Sequence, residues 1–246
     1  MSEPVSAVIF DLDDTLFLQE VFLDQAWGHV ARVAAVNGDI DAGMFEAALM
    51  RICREGSDKG RIIDRALASC GYDIPVAPLV QAFRTFEPER LPLLPGARQA
   101  LHFLSSRLPL GLVTDGDPRL QRAKLRALGL GDEFAVVVLS DELGREHRKP
   151  DPAPFLAALA RLALDASRVV FVGDRPGKDV VGAQGVGMRT IRVLTGEYRL
   201  AENLVKPWRI VASIADVVAE LVDLIDVPAS SGRELSRCRD REETRP

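Results

Sequence analysis

The stretch VIFDLDDTL, residues 8–16, decides the fold class of this chain. It joins an uninterrupted apolar run, typical of a strand buried on both faces, to a cluster of acidic residues. Asp11 and Asp13 lie just beyond the predicted strand, at the edge of the sheet where open α/β folds bind ligands. Two carboxylates with this spacing can face one crevice, where they would repel each other without a cation between them. Oxygen ligands of this kind suit Mg²⁺. The same aspartates are also common where they only form a turn or cap a helix.

Further apolar, β-branched runs follow the first, and helical patterns separate them. The predicted strands are Val5–Phe10, Leu110–Thr114, Ala135–Leu139, Val169–Val172 and Thr190–Val193. The predicted helices lie near residues 97–107, 118–128, 153–163, 178–186 and 214–225. Because strands that alternate with helices are joined by right-handed crossovers, this order predicts an α/β fold with a doubly wound, Rossmann-like parallel sheet.

The region from about Phe17 to Pro92 interrupts this alternation. It contains several amphipathic helical patterns and no convincing strand, which predicts a helical insertion after the first strand. Its end, PERLPLLPG at residues 88–96, is rich in proline and suits a stiff return to the sheet. We therefore predict a core of residues 1–16 and 93–227 and a helical unit of residues 17–92. Residues 228–246, rich in Ser, Arg and Glu, are predicted to be a disordered tail.

The bulk composition argues against several classes of protein. A net charge of −5, with no Lys/Arg-rich block, argues against a nucleic-acid partner. The apolar stretch before Asp11 is too short, and too soon followed by charge, for a signal peptide or a membrane span. The 3 cysteines have no metal-ligand spacing and are typical of reduced thiols. These features predict a soluble, cytoplasmic protein.

Other predicted strand exits carry polar residues of complementary kinds. Thr114 and Asp115 end the second run, Lys149 precedes a proline-marked helix start, and Asp174 and Asp179 follow the fourth run. Taken singly, each is also expected of a turn, a helix cap or a surface lysine. Together they bring a hydroxyl, a cation and more carboxylates to the sheet edge that carries the first acidic cluster. Chance turns do not supply so complementary a set, and we therefore predict a functional site.

With these residues in place, the chain resembles the haloacid dehalogenase superfamily over nearly all of residues 5–225. DLDDT is similar to the family's first motif, KPDP to the context of its third, and GDRPGKD to its fourth. The motif residues fall on Asp11 and Asp13, on Thr114, on Lys149, and on Asp174 and Asp179. The helical insertion resembles the cap that some members carry between the first motif and the second strand.

The resemblance implies a phosphatase that works through an aspartyl-phosphate. Asp11 would be the nucleophile that attacks phosphorus. Asp13 would protonate the leaving alkoxide and then act as base on the water that cleaves the intermediate. Thr114 and Lys149 would hold the phosphoryl oxygens, and Lys149 would also pair with Asp11 and keep it ionised.

The resemblance also implies a set of binding groups around this chemistry. Mg²⁺ would be held by Asp11, the backbone carbonyl of Asp13, and Asp174, with Asp179 binding through water or orienting the other ligands. The backbone N–H groups near Leu12 and Asp115 would join Thr114 and Lys149 in binding the phosphate. The expected partner is a small phosphorylated metabolite.

The same residues allow other activities of the family to be compared with the phosphatase prediction. A dehalogenase lacks an acid/base carboxylate two residues after its nucleophile, so Asp13 argues against that activity. A phosphonate hydrolase would be expected to use a lysine of the cap as a Schiff base. Lys59 is the only lysine between Phe17 and Pro92, and Asp13 again does not fit this activity. A phosphomutase shares all of the core residues and stays open. A binding or regulatory module would be expected to have lost at least one motif residue, and none is missing.

The sequence leaves the substrate and the oligomeric state open. In this family specificity resides largely in the cap, where the polar and aromatic candidates are Gln19, Gln25, Trp27, His29, Arg51 and Arg54. Sugar phosphates, phosphoglycolate-like acids and nucleoside monophosphates are all candidate substrates.

Overall fold

The computed structural model describes residues 3–56 and 60–225. The predicted tail at residues 228–246 lies outside the described residues, and so does Lys59. Within the described ranges, no helix is both long and apolar enough to cross a membrane.

The centre of the molecule is a parallel sheet whose strands are almost wholly buried. Its strands are β1 (Ala7–Phe10), β2 (Leu110–Thr114), β3 (Val136–Leu139), β4 (Val169–Gly173), β5 (Arg189–Val193) and β6 (Arg209–Val211). They lie in the order β3-β2-β1-β4-β5-β6, and every neighbouring pair is parallel. The strand order reverses beside β1, which opens a crevice at the carboxyl ends of β1, β2 and β4. The predicted fold class, a doubly wound α/β sheet, is confirmed.

The short edge strand β6 was not among the predicted strands. Only 3 residues long, it pairs with β5, and its first two residues are exposed. A strand of this length with one buried side chain carries no periodic signal, because pairing with the sheet edge defines it rather than its own apolar pattern.

The helical insertion forms a unit with its own apolar centre. It consists of α1 (Gln19–Asn37), α2 (Ala42–Arg54), α3 (Ile62–Cys70) and α4 (Val76–Arg84), which we call the cap. Val30, Phe45, Leu49 and Leu79 are buried together between these helices. The packing supports the predicted division near residues 17 and 92, which we retain as a proposal.

The helices that flank the sheet are α5 (Ala97–Ser105), α6 (Pro118–Ala127), α7 (Pro152–Leu162), α8 (Val181–Gly185) and α9 (Val217–Leu221). Both α6 and α7 begin with an Asp cap followed by proline, since Asp117 and Asp151 accept bonds from the backbone N–H two residues on. The start of the helix predicted over 178–186 is instead a π-helical turn, Pro176–Val180. The helix predicted over 214–225 is shorter, because a 3₁₀ turn at Ile214–Asp216 precedes α9.

The glycine-rich stretch after β4 serves close packing. A Cβ atom on Gly182 would lie 2.4 Å from the ring of Phe155, a contact that no side chain can make. Only glycine therefore lets α8 approach α7 this closely.

Candidate active site

A cavity of about 730 Å³ lies between the carboxyl edge of the sheet and the cap. Its core side includes Asp11, Thr114 and Lys149. Asp11 follows β1, Thr114 is the last residue of β2, and Lys149 lies shortly before α7. Its cap side includes Trp27 and Phe83, whose rings stack with centroids 4.4 Å apart. Because the two units share the cavity, both can contact a bound molecule.

Lys149 connects the ends of three strands from the centre of the site. Its ammonium donates to a carboxylate oxygen of Asp11, to Oδ1 of Asp179 at 2.7 Å, and to the carbonyl of Val113 at 3.3 Å. Its side chain is only 3% exposed. The predicted pairing of Lys149 with Asp11 is thus present, and Asp179 is a partner that the sequence did not indicate.

The charge state of this cluster follows from burial and neighbouring charges. Burial opposes the charge on Lys149, but the carboxylates of Asp11, Asp179 and Asp115 outweigh it and raise the pKa of the ammonium. The pKa of Asp11 is raised to about 7, because burial and the charges of Asp179 and Asp13, which raise it, outweigh the charge of Lys149, which lowers it. Lys149 therefore carries the proton of this pair.

Asp11, Asp174 and Asp179 form a buried acidic group. One carboxylate oxygen from each lies within 4.8 Å of the others. Both oxygens of Asp174 are buried and have no hydrogen-bond partner among the described residues. Burial first, and then the charges of Asp179 and Asp11, raise the pKa of Asp174 well above its ordinary value.

These residues fit a divalent cation. The group has an excess of carboxylates over its ammonium partner, and unpaired buried oxygens of this kind are costly without a ligand. Hard oxygen donors are those that Mg²⁺ prefers. Asp179 already accepts from Lys149 and, at 2.9 Å, from the backbone N–H of Arg175. That arrangement suits the predicted role of orienting the other ligands better than direct ligation.

Asp13 points its carboxylate away from the acidic group. Its Oδ1 accepts from Nζ of Lys124 at 2.6 Å, and its Oδ2 accepts from Nε2 of Gln121 at 2.9 Å. Gln121 also donates to Oγ1 of Thr114 at 2.6 Å. Sequence reasoning missed both partners, because a Gln and a Lys on an amphipathic helix are expected on its solvent face.

The side chain of Asp115 ties together the loops beneath the cavity. It accepts from Ser140 Oγ at 2.8 Å, from the backbone N–H of Lys149 at 3.1 Å and from Nζ of Lys178 at 3.1 Å. Burial raises its pKa, but the charges of Lys149 and Lys178 outweigh this and the net shift is downward. Asp115 was predicted to act through its backbone N–H, and its carboxylate adds a positioning function.

The turn after β1 is fixed by Asp14. This residue adopts a left-handed conformation with φ of 58°. Its carboxylate accepts from the backbone N–H of Gln19 at 2.9 Å and of Glu197 at 3.2 Å. The side chain of Leu12 in the same turn is buried in the core. Asp14 therefore joins the loop after β1 to the start of α1 and to the loop after β5.

The residues that the sequence offered as cap contacts divide into two groups. Gln19 and Trp27 line the cavity, whereas Gln25, His29, Arg51 and Arg54 are not among its lining residues. Two other cap residues, Arg61 and Arg84, line the cavity instead. A helical pattern shows which face of a helix is apolar, but the direction of that face depends on how the helices pack.

Comparison with known proteins places the chain in a family. A family model described as a haloacid dehalogenase-like hydrolase matches residues 5–187. Glyceraldehyde 3-phosphate phosphatase of Methanopyrus kandleri is 34% identical over 204 residues, covering 79% of this chain and 86% of the relative. Phosphoglycolate phosphatase of Rhodospirillum rubrum is 32% identical over 243 residues, covering 93% of this chain and 94% of the relative.

A solved structure shares the architecture. The magnesium-bound HAD-hydrolase YfnB of Bacillus subtilis superposes with a TM-score of 0.69 at 21% identity, over 89% of this chain and 99% of that one. At this identity the likeness concerns the fold alone.

Proposed function

The chain belongs to the haloacid dehalogenase-like hydrolases, and on that premise we propose that it is a Mg²⁺-dependent phosphatase that forms an aspartyl-phosphate on Asp11. The family match and the 34% identity to a named phosphatase make it a phosphoric monoester hydrolase of small phosphorylated molecules. The observation that carries the mechanism is the buried ammonium of Lys149 between Asp11 and Asp179, beside the unpaired carboxylate of Asp174.

Asp11 is the proposed nucleophile. One of its carboxylate oxygens attacks phosphorus, the bond from phosphorus to the ester oxygen breaks, and the phosphoryl group is left on Asp11. Its pairing with Lys149 supports this role, because the ammonium favours the ionised form that attack requires. Water then attacks the same phosphorus, the bond to Asp11 breaks, and inorganic phosphate leaves.

Asp13 is the proposed acid and base. In the first step it gives a proton to the departing alkoxide, and in the second it takes a proton from the attacking water. Its carboxylate lines the cavity on a loop that also carries the nucleophile, yet it lies outside the acidic group around Asp174. This separation supports different roles for the carboxylates of Asp11 and Asp13.

Thr114 and Lys149 are the proposed holders of the phosphoryl oxygens, with the backbone N–H groups of Leu12 and Asp115. Phosphoryl transfer depends mainly on positioning and on offsetting negative charge, which a hydroxyl, an ammonium and backbone donors can supply together. Asp11, Asp174 and the backbone carbonyl of Asp13 would hold Mg²⁺, with Asp179 orienting them. When bound, the ion would offset charge on the phosphoryl oxygens.

The substrate is proposed to be a short phosphorylated metabolite. Relatives that cover most of the chain are named for glyceraldehyde 3-phosphate and for phosphoglycolate. The cap side of the cavity offers Trp27 and Phe83 for apolar contact and Arg61 and Arg84 for polar or anionic groups. A cytoplasmic location stays part of this proposal.

Phosphate release from glyceraldehyde 3-phosphate, phosphoglycolate and p-nitrophenyl phosphate, with and without Mg²⁺, tests the proposal. We expect metal-dependent turnover that falls by about four orders of magnitude or more in Asp11→Asn, since that change removes the nucleophile. Asp132→Asn, at an exposed carboxylate in the segment that follows α6, is the matched control and should keep full activity. Turnover that survives Asp11→Asn, or a folded protein inactive on a broad panel of phosphate esters, would contradict the proposal.

A further inference from the structure

Two polar side chains of α6 are buried where an amphipathic helix ordinarily buries apolar ones. Lys124 is 4% exposed and Gln121 is 2% exposed, on the same face as the buried Leu120 and Leu125. Spaced three residues apart, Gln121 and Lys124 project side by side from that face. Burying an ammonium and an amide costs free energy that apolar residues of the same size would not cost, so stability alone does not account for them.

Both side chains end on the carboxylate of Asp13. The ammonium of Lys124 lies 2.6 Å from Oδ1, and the amide of Gln121 lies 2.9 Å from Oδ2, so each oxygen has its own donor. Donors on both oxygens fix the plane of a carboxylate, which otherwise turns freely about its terminal torsion. Gln121 is in turn held by the hydroxyl of Thr114 at 2.6 Å. The orientation of Asp13 is thus tied to the proposed phosphate-binding strand end.

Lys124 is itself held by aromatic rings. Its ammonium lies 4.5 Å from the ring centroid of Phe22 on α1 and 5.8 Å from that of Phe17. A cation over an aromatic face is attracted to it, most strongly where water is excluded. The carboxylate, its two donors and the first helix of the cap therefore form one contiguous set of contacts.

We propose that Gln121 and Lys124 are positioning residues that hold the carboxyl group of Asp13 in line with the leaving oxygen of the substrate. This inference rests on the proposed function, because it needs Asp13 to be the acid. Without its two donors the carboxyl group would sample other rotations, and proton transfer to the leaving oxygen would lose its alignment. The loss should be largest where the leaving group most needs a proton.

The test compares phenyl phosphate with p-nitrophenyl phosphate, which are similar in shape but differ in how much the departing oxygen needs protonation. The rate of alcohol release in the first turnover and the steady-state kcat and KM are measured for the wild type, Lys124→Met and Gln121→Met. Methionine matches glutamine in length, is one atom shorter than lysine, and removes the donor in both variants. Arg122→Met, at an exposed residue of the same helix that pairs with Glu142, is the matched control.

We expect both variants to slow release from phenyl phosphate about tenfold or more beyond their effect on p-nitrophenyl phosphate, within the range ordinarily contributed by acid catalysis. The control should leave the ratio unchanged. Equal slowing of both substrates would mean a merely structural role, and a raised KM with unchanged kcat would mean a substrate contact. Either result overturns the positioning role.

If Lys124→Met fails to fold, Gln121→Met decides alone. Absence of wild-type turnover on these two esters and on the broad panel of phosphate esters would instead overturn the proposed function.

Discussion

Asp11 and Asp13 stand two residues apart, yet each carboxylate has its own lysine. Asp11 pairs with Lys149 from the start of α7, and Asp13 pairs with Lys124 from the middle of α6. Asp11 also shares its surroundings with two further buried carboxylates, whereas Asp13 is 18% exposed and faces an amide. These different surroundings support the different roles proposed for the two aspartates, nucleophile for Asp11 and acid for Asp13.

Asp174 provides a prediction at the residue scale. Its raised pKa means that the ionised form is less favourable in the folded protein than in the unfolded chain, so its charge destabilises the metal-free fold at neutral pH. Asp174→Asn should therefore raise the melting temperature in the presence of a chelator, by roughly 2–4 °C for each kcal/mol of repulsion relieved. It should also abolish the rise in melting temperature that we expect Mg²⁺ to give the wild type.

Differential scanning fluorimetry with a chelator and with Mg²⁺ measures both effects. Asp132→Asn, at an exposed carboxylate, should change neither. An unchanged Mg²⁺ response in Asp174→Asn would place the cation elsewhere.

At the scale of elements, the loop after β5 supports the loop after β1. Gly196 has a φ of 61° and presses against Asp14, so that an added Cβ would lie 2.0 Å from its carboxyl carbon. The hydroxyl of Thr195 donates to the carbonyl of Asp14, and the N–H of Glu197 donates to its carboxylate. Three successive residues of one loop therefore hold the turn that carries the proposed nucleophile and acid.

Gly196→Ala should damage stability and activity together. The left-handed backbone is strained for alanine, at a cost of about 1 kcal/mol or more, and the clash with Asp14 adds to it. Gly185→Ala is the matched control, because a Cβ there meets nothing within 4 Å. Urea denaturation and phosphatase assays of the two variants measure the difference. Full activity in Gly196→Ala would show that the loop after β5 does not constrain the site.

For the molecule as a whole, the cavity between cap and core raises the question of how substrate enters. Substrate must reach Asp11, the proposed nucleophile, which is only 5% exposed and lies beneath a unit that packs around its own apolar centre. Separate apolar centres allow two units to move relative to each other without breaking either one. We therefore expect the cap to open for substrate and to close over it.

Hydrogen exchange tests this motion. Mg²⁺ together with orthovanadate, a phosphate analogue, should increase protection within residues 17–92 at the face toward the cavity, for example around Phe83. The face of α2 that carries the exposed Arg51 should not change. Protection that stays the same throughout the cap would count against closure.

The sequence alone was enough to predict the order of the core strands along the chain and most of the residues of the candidate site. Asp11, Thr114, Lys149 and Asp174 were identifiable because apolar runs mark buried strands, and parallel strands bring their carboxyl ends to one edge. That inference needs only local patterns and a rule of topology. The structure brings all of these side chains to the cavity.

Only the tertiary structure decided which side chains of the helices reach these site residues. Gln121 and Lys124 look like surface residues of an amphipathic helix until the packing of α6 brings them to the carboxylate of Asp13. The cap contacts Arg61 and Arg84 were missed for the same reason, and β6 exists only through its pairing with β5. Local propensity sets where a helix or strand forms, but the direction in which its polar residues point depends on long-range packing that no short stretch of sequence contains.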